Sequence, residues 1–211
     1  MTTVRTSTTT IGSDVLSALI LLASAGAAVA AVVLPINQLT QPGGQVAVAL
    51  TDPAQAQALG AVTGVPEGTW LEFATWGFPF QWHVFELSWP LRLLTEASTS
   101  LLLACLAGAG FLLARVIRSI RLGEPFAAAN PGRLRIIAAL LLAGGIGSQY
   151  VEGFTRIALL DYTGAADAPA SPLEISASLN LSWVFFAAVT LVLAQAFARG
   201  RALTEDVEGL V

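Results

Sequence analysis

The chain has 211 residues, 55% of them hydrophobic and only 11% charged, with 10 basic against 14 acidic side chains. A soluble domain carries about 25% charged residues, so this composition, with a mean hydropathy of +0.72, argues against an ordinary soluble bundle. A single histidine, His83, and a single cysteine, Cys105, exclude an internal disulfide and any metal or catalytic chemistry that needs two histidines or a cysteine cluster, so no metal and no cofactor are expected.

Four apolar stretches, about 14–34, 92–115, 131–152 and 175–198, approach or exceed the roughly 17–25 residues that cross a bilayer. The expected fold is therefore an all-α integral membrane protein, a four-transmembrane-helix bundle forming one membrane domain over 1–211. The first stretch follows only one positive residue, Arg5, and outruns the 7–15-residue core of a signal peptide. It reads as an uncleaved anchor, although the alanine-rich 27–31 resembles a cleavage site. Small residues recur at packing intervals: Ala23, Ala27 and Ala31, then Ala104 and Gly108, then Gly144 and Ser148. Such spacing lets helix backbones approach closely in lipid.

The segment 37–89 separates the first two spans and is the one candidate for an extramembrane part, a small extracytoplasmic β-rich cap. Stretches 45–51, 69–76 and 80–87 read as short strands, with Val46, Val48 and Leu50 on one face. A helical turn is expected at 53–60. Trp70, Trp76, Trp82 and Trp89 fall in this segment. An interfacial aromatic belt with a mini-core is the plainer role for them, an aromatic ligand surface the sharper one.

Between spans two and three stand five arginines, Arg115, Arg118, Arg121, Arg133 and Arg135, in a chain that has no lysine. Positive residues beside a span resist translocation. Threaded with this loop inside, the fourth span also ends at basic residues, Arg199 and Arg201, and both termini are cytoplasmic. Gly123-Glu124-Pro125 is a turn signal. Asn130 followed by Pro131 reads as a helix N-cap with proline at the first helical position. Arg133 and Arg135 there oppose the helix dipole. Lipid-headgroup anchoring is the simplest use for them.

The same threading puts Glu96, Gln149, Glu152, Arg156 and Asn180 in one outer polar cluster. An ionisable group within a span is a functional-site hypothesis with a partner to be named; Glu96 is expected to pair with Arg156, or with Arg92 one turn earlier. The sequence has no G-x-S-x-G, no HExxH and no Gly-rich phosphate loop, Gly43-Gly44 being only a turn. An enzyme is not expected, and no basic stripe is large enough for direct nucleic-acid binding.

The inner loop reads Gly123-Glu124-Pro125-Phe126, then Asn130, then Arg133-Leu134-Arg135-Ile136. The tail reads Phe197-Ala198-Arg199-Gly200-Arg201-Ala202-Leu203-Thr204-Glu205-Asp206 and ends Gly209-Leu210-Val211. These motifs resemble those of the bacterial four-span membrane proteins grouped as domain of unknown function 2975. There a G-x-P-F turn precedes an asparagine and an L-R pair on the third helix, and a basic-Gly, Leu, acidic tail closes the chain. The tail departs from that pattern, since Val207 interrupts the acidic run and the end is hydrophobic. The resemblance implies a four-span fold in a bacterial plasma membrane and a non-enzymatic, regulatory or sensory role beside a small cytoplasmic helix-turn-helix transcription regulator. Phe126, Asn130, Arg133, Arg135, Arg201 and Glu205 are the candidate partner-binding residues, and the lipid bilayer is the other partner. The alternative is a small transporter or channel accessory that uses the outer polar cluster around Glu96.

Overall fold

The computed structural model describes residues 6–42, 46–50, 69–72, 80–84, 86–163 and 179–208. The helical turn expected at 53–60 and the side chain of Glu205 lie outside what is described. Four helices are long and apolar enough to cross a membrane, so by length and composition the chain is a multi-pass membrane protein. They are α1 (Thr6–Thr40), α2 (Trp89–Arg121), α3 (Asn130–Thr163) and α4 (Ser182–Glu208). A helix satisfies its own backbone polar groups, which is the condition for crossing hydrocarbon. The candidate spans within them are Asp14–Thr40, Trp89–Arg121, Asn130–Leu159 and Ser182–Thr204. Among the described residues the fourth candidate span begins at Ser182, and 175–178 of the expected stretch lie outside the described residues. Asn180 accepts a hydrogen bond from the Ser182 N–H at 3.0 Å and turns the chain into α4.

Between α1 and α2, the strands β1 (Val46–Leu50), β2 (Thr69–Glu72) and β3 (Phe80–Val84) pair antiparallel in the order β1-β3-β2. Trp82 of β3 stands opposite Val48 on one side and Leu71 on the other.

The chain divides into two compact units. The first, 1–31, 101–148 and 179–211, packs sections of all four helices. Its core is Ala109, Leu134, Ile137 and Ala194, with Leu112, Leu140, Leu141 and Phe197 against them. Small residues let the helices close. A Cβ on Gly144 would stand 2.6 Å from the Cβ of Cys105, and one on Gly145 would enter the Trp183 ring. On α2 the buried seam residue is Cys105, while the expected Ala104 faces outward. On α1 it is Ser24 that packs against Gly110 of α2, while Ala23 is exposed. In both cases the residue one place further along lies on the contacting stripe.

Many of the large outward-facing side chains of these helices are apolar. Leu22 of α1 is 72% exposed and Phe185 of α4 is 65% exposed, as expected of surfaces solvated by lipid tails. The second unit, 32–100 and 149–178, holds the sheet, the end of α1, the start of α2 and the end of α3.

Candidate functional site

In the first unit the α2–α3 connection is built to a single shape. Gly123 takes the left-handed conformation, φ 82°. The Glu124 N–H donates to Ser119 O at 3.0 Å and the Gly123 N–H to Ile120 O at 3.1 Å. These two bonds close α2 as a Schellman motif with glycine at the one position that favours it. Two further turns follow, from the Ala127 N–H to Glu124 O and from the Asn130 N–H to Ala127 O.

Asn130 is the hub of this connection and is fully buried. Its Nδ2 donates to Ser119 Oγ at 2.6 Å and to Pro125 O at 2.9 Å. Its Oδ1 accepts from the Arg133 guanidinium at 3.0 Å. The expected N-cap role is corrected by this arrangement. The first helical bond runs from the Arg133 N–H to Ala129 O, so Ala129 takes the cap position and Pro131 the second helical position. Proline is tolerated there because the first-turn N–H has no intrahelical partner. The asparagine side chain is spent inside the loop instead.

Phe126 anchors the connection onto α4. Its ring meets Phe197 edge-on, with centroids 6.0 Å apart. It also covers Gly200, where any Cβ would strike the ring. At the same end, Arg121 forms an ion pair with Asp14 of α1. The start of α1, the α2–α3 turn and the end of α4 are therefore neighbours in this unit. Arg115 lies over the Phe111 ring, 4.5 Å from its centroid. Of the candidate partner-binding residues, Phe126 and Arg135 are exposed, Arg133 and Arg201 half-buried, and Asn130 inaccessible. Asn130 shapes this surface and does not itself offer a contact. Ser119 escaped the sequence reading, and Gly200 entered it only as part of the tail motif. Nothing local marks a serine in a basic helix end or a glycine between two arginines as a contact.

In the second unit the expected pairing of Glu96 is also corrected. Arg156 bonds Glu152 one turn earlier on its own helix, at 2.7 Å. Arg92 reaches the end of α1, donating to the carbonyls of Gln38 and Gln41. A cation suits a helix C-terminus, where free carbonyls and the dipole favour it. Among the described residues, no ion pair links Glu96 to either arginine. Thr155 ties α3 to α2, its hydroxyl lying 3.1 Å from Leu94 O and 2.8 Å from Val151 O. The Tyr162 hydroxyl donates to Glu86 O at 3.0 Å. Within this unit Glu152 and Arg156 satisfy each other, and in the first unit Asn180 serves the entry of α4. Among the described residues, no group of three or more histidine, cysteine, aspartate or glutamate side chains is placed to hold a metal ion.

No family model matches the chain, and no curated protein and no solved structure matches it either.

Proposed function

We propose that this is a non-enzymatic protein of a bacterial plasma membrane that holds or signals to a small cytoplasmic helix-turn-helix regulator through its arginine-rich end. The observation that carries the reading is the clasped α2–α3 turn. Asn130 and Ser119 fix its backbone, Phe126 fixes it onto α4, and seven arginines border it and the adjoining helix ends: Arg115, Arg118, Arg121, Arg133, Arg135, Arg199 and Arg201. A turn used only as a connector needs no such ordering, whereas a preorganised surface binds without first losing conformational freedom. The positive-inside rule assigns that end to the cytoplasm. With four crossings, this reading has both termini beside it and the β-rich segment outside, as a cap between α1 and α2. The tail adds contact surface. α4 runs on to Glu208, and Leu203 is 67% exposed on it. The loop and tail motifs that resemble those of the four-span family lie in these two places.

The test is capture. Full-length protein in detergent should retain a purified helix-turn-helix regulator encoded beside its gene, and deleting 199–211 should abolish retention. Equal retention by the shortened chain, or no binding by the intact one, contradicts the proposal.

A further inference from the structure

Arg92, Glu96 and Ser100 recur at every fourth residue of α2, so they share one stripe of the helix. Two atoms on this stripe, Arg92 Nε and Ser100 Oγ, are buried without a hydrogen-bond partner. The carboxylate between them is left by both candidate arginines, since Arg156 pairs with Glu152 and the Arg92 terminal nitrogen serves α1. Hydrocarbon offers nothing to satisfy a polar group, and an ionisable side chain within a span marks a site by default.

We infer that this stripe is a water-binding track entered from the Trp89 end of α2. One water bridges Arg92 to Glu96 and a second bridges Glu96 to Ser100. Successive members stand four residues apart, about 6 Å along the helix axis, which is roughly twice the ~2.8 Å of a hydrogen bond to water. The polarity also fits. The Arg92 Nε–H only donates, the carboxylate only accepts, and the serine hydroxyl does either. Each bridging water therefore finds at least two partners, as a buried water requires. A metal cation suits the stripe less well, because a guanidinium stands one turn from the carboxylate and few other oxygens converge there. The track ends blind: the next positions on the same face, Leu103 and Ala104, are apolar. It is a vestibule that brings water and an exchangeable proton roughly 12 Å along α2 from Arg92 to Ser100, not a channel. The inference is independent of the proposed regulator.

The test is thiol accessibility in the full-length protein, reconstituted in nanodiscs with Cys105→Ala as background. A positively charged, membrane-impermeant methanethiosulfonate should modify Ser100→Cys at least tenfold faster than Thr99→Cys, the outward-facing neighbour at the same depth. Adding Glu96→Leu should abolish the difference. Equal rates at the two positions, or a difference indifferent to Glu96, overturns the inference. A second measurement needs no new thiol. Hydroxyl radicals generated by X-rays from bound water should oxidise residues 92–101 of the unsubstituted chain more than residues 20–29 of α1. Equal oxidation of the two stretches overturns it as well.

Discussion

Asn130 uses both halves of one amide inside a single turn, and the turn depends on it. Its two donated bonds, to Ser119 and Pro125, are each worth about 1 kcal/mol net, and unpaired buried partners add to the cost of losing them. Asn130→Ala should lower stability by about 2 kcal/mol, read as a lower unfolding midpoint in detergent. Asn130→Asp separates the contributions. It keeps the acceptor for Arg133 but loses both donors, so it should cost at least as much. A midpoint unchanged in both variants would mean that the amide holds nothing. At this scale the sequence was least legible. Asn130-Pro131 is a strong local signal for a cap, and it marked the start of α3 within a residue. It could not reveal that Ser119, eleven positions earlier, offers the side chain a buried partner. Glu96 illustrates the same limit of local reasoning. Arg92 and Arg156 are correctly spaced and charged to pair with it, but helix-end carbonyls and Glu152 compete for them, and a one-dimensional reading does not rank those competitors.

The helices were the most legible elements, because crossing a bilayer demands a length and a composition that few other structures need. Their packing was legible in part: Gly108 and Gly144 lie against neighbouring side chains and Ser148 is buried, as the small-residue interval predicts. Small residues recur as expected, but the stripe that meets a neighbour runs through Ser24 and Cys105 rather than Ala23 and Ala104. The glycines of the structure separate into those that a helix needs and those that it tolerates. Gly145 lies against Trp183, where an added methyl has no room, while a Cβ on Gly26 would meet nothing within 4 Å. Gly145→Ala should therefore destabilise by about 1–3 kcal/mol, the usual cost of overpacking, and Gly26→Ala should leave stability within about 0.5 kcal/mol, as for substitutions away from packed features. Unfolding in a graded mixture of mild and denaturing detergent measures both. Comparable losses at the two sites would show that the α3–α4 crossing is looser than its geometry indicates.

Across the whole molecule, charge and connectivity point to the same threading. In the proposed threading, four crossings bring the N-terminus, the α2–α3 turn and the tail to one face of the membrane, and the arginines of the chain concentrate at those places. The same proposal assigns the β-rich segment to the opposite side. The proposed regulator contact needs the first face to be cytoplasmic, and the proposed entry of water at the Trp89 end needs the second to be external. The most direct test introduces single cysteines at Gln41, Ala128 and Asp161, with Cys105→Ala as background, and applies an impermeant maleimide to intact cells. All three positions are exposed. The account predicts labelling of Gln41 and Asp161 in intact cells and of Ala128 only after permeabilisation. Labelling of Ala128 in intact cells, or opposite behaviour of Gln41 and Asp161, would contradict it.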